Sequence, residues 1–79
     1  MRLTDNSFAV WNFVHENGGK VSLPEICDAL GKGARSVGAN VTDLKKKGLA
    51  ERVKEEVGDE TITYVVLTDE GQAFVQGEE

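Results

Sequence analysis

Cationic side chains are concentrated in one segment of this chain, and their most direct chemistry is the binding of negatively charged groups. Residues 32–54 hold seven of the nine lysines and arginines but only two of the fourteen aspartates and glutamates. The whole chain nevertheless has a formal net charge of −5. Because a basic segment lies between two acidic ones, the sequence predicts a positively charged face on an acidic protein, and such a face is typical of nucleic-acid binding.

The sequence does not predict an enzyme. The Gly-Gly-Lys run at 18–20 is not a P-loop, because Val14 stands where the first glycine is required and Val21 where Ser or Thr would hold magnesium. Residues 31–36 do not form a dinucleotide-binding fingerprint, since Ser36 occupies the third glycine position. One histidine and one cysteine provide neither a nucleophile and base pair nor a four-ligand zinc site. We therefore expect no catalytic residue, no metal and no cofactor.

Apolar spacing and capping residues predict the elements that position the cations. Thr4 or Asp5 can cap a first helix, Ser22 with Glu25 forms a capping box for a second, and Gly48 ends a third. Alternating, β-branched runs then predict a hairpin. In chain order we expect a helix over 5–16, a short extended segment at 20–21, helices over 23–30 and 33–47, strands over 51–57 and 61–67, and a short helix over 69–75 capped by Thr68.

The third predicted helix has an inward face and an outward face. Val37, Val41 and Leu44 recur at i, i+4 and i+7, which is the spacing of a core-facing stripe. Helical geometry then places four residues on the opposite side. We call these four the outward ridge: Arg35, Ala39, Thr42 and Lys46, flanked by Ser36 and Asp43.

The first predicted helix has a wide apolar arc with two interpretations. Its apolar residues, which cover more than half of the circumference, are Phe8, Val10, Trp11, Phe13 and Val14. One interpretation packs the helix between two neighbours of its own domain. The other places Phe8 and Trp11 in contact with a second copy of the chain, giving a homodimer through this helix.

Residues 22–74 resemble winged helix-turn-helix transcription regulators, most closely the MarR group. The resemblance rests on the Leu30-Gly31 helix end, the inward stripe of the third helix, the closing "LKKKGLAER" and the later "VLTDEGQAF". It implies an α+β fold, in which a three-helix helix-turn-helix core carries a two-stranded β-hairpin wing and a short C-terminal helix. We expect one domain over 1–79, with 77–79 frayed.

The same resemblance implies sequence-specific binding of double-stranded DNA, with the helix over 33–47 in the major groove. Arg35 is then the best candidate for bidentate contact with guanine, and a methyl such as that of Ala39 can touch thymine. The implied base-facing residues are Arg35, Ser36, Ala39 and Thr42. The implied phosphate contacts are Lys32, Lys46, Arg52 and Lys54.

The chain departs from the pattern of that group in three ways. Ala39 and the flexible Gly38 stand where relatives often carry large polar or basic residues. The wing tip, residues 55–60, is acidic, so we expect it to be held off a duplex. Little sequence lies outside the winged core to supply the helices through which MarR proteins dimerise. A protein-interaction module without DNA binding is the alternative function, and a cytoplasmic protein without a membrane contact is expected in either case.

Overall fold

The fold follows the predicted order of elements. A computed structural model of the protein describes residues 3–74. Its elements are α1 (Asp5–Glu16), β1 (Lys20–Ser22), α2 (Leu23–Leu30), α3 (Ala34–Lys46), β2 (Ala50–Val57), β3 (Glu60–Leu67) and α4 (Asp69–Ala73). The predicted frayed residues 77–79 lie outside this range. Over residues 3–74, no helix is long and apolar enough to cross a membrane.

Side-chain caps and left-handed glycines set the helix ends. The hydroxyls of Thr4, Ser22 and Thr68 each accept a hydrogen bond from the backbone N–H three residues ahead, at 3.2, 3.4 and 3.0 Å. Gly31 ends α2 at φ 64°, a conformation that L side chains rarely adopt. Helix α4 ends two residues earlier than the sequence predicts, because Phe74 is extended (φ −64°, ψ 139°).

The sheet has three antiparallel strands in the order β1-β3-β2. The β2–β3 hairpin, which we call the wing, pairs Val57 with Glu60 across a two-residue turn. Gly58 in that turn has φ 62°, as tight hairpin turns require. The sequence predicts only a two-stranded hairpin, but β1 adds a third strand by pairing Val21 with Val65. Therefore β3 pairs with a neighbouring strand along both of its edges only at the base of the wing.

An apolar core lies between the helices and the sheet. Trp11 belongs to it: the residue is only 6% exposed, and its ring contacts Phe74 edge-on with centroids 5.2 Å apart. Its Nε1–H donates a hydrogen bond to the Gly71 carbonyl at 2.7 Å. This burial contradicts the expectation that Trp11 contacts a second copy, because the chain itself covers the ring. Phe8 is half-buried and stacks on Trp11 at 5.6 Å, so its contact with a second copy stays a prediction.

The start of α4 packs directly on the backbone that follows α3. Thr68 donates its backbone N–H to the Leu49 carbonyl at 3.1 Å and its hydroxyl to the Gly48 carbonyl at 2.6 Å. A Cβ on Gly71 would lie 1.8 Å from the Leu49 carbonyl oxygen, so only glycine allows this approach. These contacts fix the point where α3 ends and the wing begins.

Candidate nucleic-acid interface

Helix α3 is held in place by its inward face. Val37, Val41 and Leu44 are fully buried, as the sequence predicts. Asp43, beside them, accepts a hydrogen bond from the Ser7 hydroxyl of α1 at 3.0 Å. Because Ser7 is only 1% exposed, this bond satisfies a buried hydroxyl and links α1 to α3.

Asp43 also neutralises one lysine at the end of α3. The Lys47 ammonium lies 2.9 and 2.8 Å from the two carboxylate oxygens. Hydrogen bonds from Lys47 first, and then from Ser7, lower the pKa of Asp43 below its ordinary value, although burial opposes them. The carboxylate is therefore ionised at neutral pH, and Lys47 contributes little free positive charge to the surface.

The outward ridge carries the cations that remain available. Arg35, Ala39 and Lys46 are exposed, as is the flanking Ser36. Within residues 3–74, Arg35 and Lys46 make no intrachain hydrogen bond or ion pair. Gly33, the N-cap residue of α3, has no side chain to cap the helix, which leaves first-turn N–H groups able to bind an anion. One end of this surface therefore combines free backbone donors with an unpaired guanidinium.

An open depression of about 450 Å³ lies beside the start of α3. Two of its residues, Asn6 and Asn40, are absent from the sequence prediction. The Lys32 ammonium donates to the Asn6 amide oxygen at 2.6 Å, which holds this cation at the rim. Asn40 stands four residues after Ser36, so helical spacing alone could have placed it here. Nothing local in the sequence indicates Asn6. The depression is lined by Asn6, Lys32, Gly33, Ser36, Ala39 and Asn40.

Two predicted DNA contacts, Thr42 and Arg52, contact each other. Arg52 Nη2 donates to the Thr42 hydroxyl oxygen at 2.8 Å and to the Gly38 carbonyl at 2.7 Å. The Thr42 hydroxyl in turn donates to the same carbonyl at 3.0 Å, and Thr42 is half-buried. The geometry therefore gives both side chains an intrachain partner that the sequence pattern does not predict.

The two faces of the wing differ in charge. Strand alternation places Arg52, Lys54 and Glu56 on the side that continues the core-facing Ala50. Lys54 is exposed, and no hydrogen bond or ion pair to it occurs within the described part of the chain. The side facing α3 is therefore the more basic one.

Acids and apolar side chains share the outer face of the wing. Glu55 is bound by the Lys20 ammonium, which also lies 4.7 Å from the centre of the Tyr64 ring. The hydrogen bond that Lys20 donates to the Glu55 carboxylate raises the pKa of Lys20. Val53 and Val57 remain 38% and 54% exposed. Lys20 neutralises one acid of the tip, whereas Glu56, Asp59 and Glu60 stay exposed.

Comparison with known proteins finds similarity at the level of the fold. The sequence matches no protein-family model and no curated protein. Among solved structures, it matches a transcriptional regulator homologue from Pyrococcus horikoshii OT3 with a TM-score of 0.75 and 21% identity, over 85% of this chain and 65% of the other. It also matches reduced AbfR bound to DNA, with a TM-score of 0.78 and 20% identity, over 90% of this chain and 50% of that one.

A third match has the same character. The structure of NadR in complex with 4-hydroxyphenylacetate aligns with a TM-score of 0.75 and 24% identity, over 89% of this chain and 48% of the other. All three solved structures are winged-helix regulators of the MarR type. The chain has the winged-helix fold. This winged-helix chain spans between about half and two thirds of the length of the proteins that it matches.

Proposed function

We propose that the chain binds double-stranded DNA as the reading domain of a transcriptional regulator, with α3 in the major groove. The outward ridge carries the proposal: Arg35 and Lys46 are exposed, make no intrachain hydrogen bond or ion pair in residues 3–74, and lie in the basic segment of an otherwise acidic chain. The similarity in fold to AbfR, which was solved bound to DNA, supports it. A helix of this kind reads base edges in the major groove and is positioned by phosphate contacts.

The proposed roles follow from side-chain chemistry and position. Arg35, near the start of α3, can donate two parallel hydrogen bonds to a guanine edge. Ser36 can donate to or accept from a base, and the Ala39 methyl can contact thymine. Lys32 and Lys46 bind phosphates, together with the free N–H groups that follow Gly33. Lys54 supplies a phosphate contact from the wing.

A protein-interaction module is the second candidate, and the outer face of the wing favours it. That face exposes Val53 and Val57 next to acidic side chains. Acids there repel a duplex, whereas a basic partner protein would be attracted. Binding to DNA through α3 and binding to a protein through the outer face use different surfaces, so variants of one surface leave the other intact.

We also propose that two copies of the chain bind one DNA site, with Phe8 in their contact. Phe8 is half-buried and is the remaining candidate of the first helix. Sedimentation velocity at micromolar concentration tests this proposal, with Phe8→Ser as the variant and thermal melting to confirm that the variant folds. A monomeric wild type would refute the dimer.

Selection of duplexes from a random pool tests DNA binding directly. At about 50 mM salt, where phosphate contacts are strong, we expect enrichment of one short sequence. If two copies bind, the sequence is palindromic. The combined Arg35→Ala and Lys46→Ala variant should enrich nothing. The matched control is Lys45→Ala, which removes an exposed cation of α3 that lies off the outward ridge. Absence of any enrichment by the folded wild type would contradict the proposed function.

A further inference from the structure

We infer that Arg52 is a positioning residue, which orients the wing against α3 and does not bind a DNA phosphate. The inference rests on the proposed DNA-binding function and refines it. It also removes one cation from the phosphate-binding set that the sequence predicts. The structural basis of the inference is one guanidinium nitrogen of Arg52 that lies between two hydrogen-bond acceptors of α3.

Both hydrogen bonds of Arg52 to α3 come from the same nitrogen. Nη2 lies 2.7 Å from the Gly38 carbonyl oxygen and 2.8 Å from the Thr42 hydroxyl oxygen. An –NH₂ group of a guanidinium has two hydrogens, so these two contacts use the whole donor capacity of Nη2. Hydrogen bonds from a charged donor are the stronger kind. A phosphate that bound Nη2 would have to displace at least one of them.

The contact joins β2 to α3 through residues that are fourteen and ten positions from Arg52 in sequence. Arg52 lies near the base of β2, opposite the fully buried Val65, so its backbone is fixed by the sheet. Gly38 and Thr42 lie one turn apart in α3. Arg52 therefore sets the angle between the wing and α3. It also fixes the rotamer of Thr42 by supplying a donor to its hydroxyl.

Lys54 is then the wing cation that binds phosphate. It follows Arg52 by two residues, so strand alternation places both on the same side of the sheet. Lys54 is exposed and has no hydrogen bond or ion pair within the described residues. Of these two cations of the wing, Arg52 thus orients the wing against α3, and Lys54 is available to bind DNA.

Replacement of Arg52 by citrulline separates positioning from phosphate binding. Citrulline has the shape of arginine and one terminal –NH₂ group, so it retains both hydrogen bonds and loses the charge. The protein can be assembled by ligating a synthetic peptide of residues 27–79 at Cys27. The readout is the slope of log K against log salt for duplex binding.

We expect Arg52→citrulline to keep the wild-type salt slope and to bind within about threefold of wild type, because its two hydrogen bonds persist in weaker, neutral form. Arg52→Ala should bind about tenfold more weakly with the same slope. Lys54→Ala is the matched control and should reduce the magnitude of the slope by about one. A citrulline protein that loses about one from the slope would overturn the inference, since Arg52 would then contact phosphate.

A second experiment tests the contact between Arg52 and Thr42 without DNA. Melting temperatures of wild type, Arg52→Ala, Thr42→Val and the double variant form a cycle, and the Arg52→Ala change should lower the melting temperature less in the Thr42→Val background. Additive shifts would overturn the contact between Arg52 and Thr42, whatever the DNA result. If the wild type binds no duplex, the DNA-binding proposal fails, and with it the role of Arg52 in DNA binding. Non-additive shifts in melting temperature would in that case still support the contact by which Arg52 orients the wing.

Discussion

Position 71 requires glycine, although the sequence pattern alone does not explain why. The "VLTDEGQAF" run identifies an early glycine in the last helix without giving its reason. In the structure the glycine has a backbone contact: its missing side chain makes room for the Leu49 carbonyl, and its own carbonyl accepts the hydrogen bond from Trp11. Both contacts join residues distant in sequence, so no local periodicity could have predicted them.

Gly71→Ala should destabilise the chain strongly. The added Cβ would lie 1.8 Å from the Leu49 carbonyl oxygen and 2.8 Å from its carbon, so backbone must move. We expect a loss of about 2 to 3 kcal/mol in the free energy of unfolding, the upper part of the usual range for overpacking. Urea denaturation followed by Trp11 fluorescence measures it. A loss below about 0.5 kcal/mol, the size of an ordinary surface change, would contradict this packing.

Arg35 and Lys46 should respond differently to removal. Arg35→Ala should cost about 1 to 3 kcal/mol on the preferred duplex and relax the preference at one base pair. Lys46→Ala should weaken all duplexes about equally and reduce the magnitude of the salt slope by about one. Binding to a panel of single-base variants of the selected site distinguishes the two. The reverse pattern would contradict these roles.

Helix α3 shows which features of an element the sequence reveals. Its inward stripe, its glycine stop and the exposure of Arg35 and Lys46 follow from helical spacing. Its contacts with other elements do not: the Ser7 bond to Asp43 and the Arg52 bond to Thr42 depend on how α1 and β2 approach the helix. The sequence therefore predicts the direction of the outward ridge correctly but misses that Thr42 already has a partner.

Gly38→Ala should stabilise the chain. Gly38 lies inside α3, and an added Cβ would be 3.9 Å from Arg52 Nη2, an ordinary contact distance. Alanine in a helix interior is favoured over glycine by about 0.5 to 1 kcal/mol. Thermal and urea unfolding at neutral pH should show this gain beside the large loss for Gly71→Ala. A destabilised Gly38→Ala chain would show that α3 or the Arg52 contact cannot accept a methyl there.

The Asp43 contacts should make stability depend on pH in a defined direction. The pKa of Asp43 is lower in the folded chain than in the unfolded one, so its contribution is present at neutral pH and is lost as pH falls through the folded pKa. The stability difference between wild type and Asp43→Asn should therefore shrink below about pH 4. Urea midpoints from pH 7 to 3 test it, with Asp28→Asn, at an exposed position of α2, as control. A difference that does not change with pH would contradict the ion pair.

At the scale of the whole molecule, charge is sorted by surface. The basic segment lies on α3 and the inner side of the wing, while acids occupy the wing tip and its outer face. Sequence composition predicts this separation because the cations cluster between 32 and 54. It cannot show which cations are already paired, as Lys47 is with Asp43 and Lys20 with Glu55. Of the cations in the segment, Arg35, Lys45, Lys46 and Lys54 are exposed without a hydrogen bond or ion pair in residues 3–74. Lys45 lies off the outward ridge, so Arg35, Lys46 and Lys54 are the ones that can face a duplex.

The salt dependence of duplex binding tests the central claim most directly. Equilibrium titrations of the selected duplex between about 50 and 200 mM salt should give a slope of log K against log salt of roughly −3 to −4 for a monomer, and about twice that for a dimer. Those values correspond to release of counterions by Lys32, Lys46 and Lys54, which bind phosphates, and by Arg35. A folded wild type that binds no duplex at about 50 mM salt, or binds with a slope near zero, would contradict DNA binding by this surface.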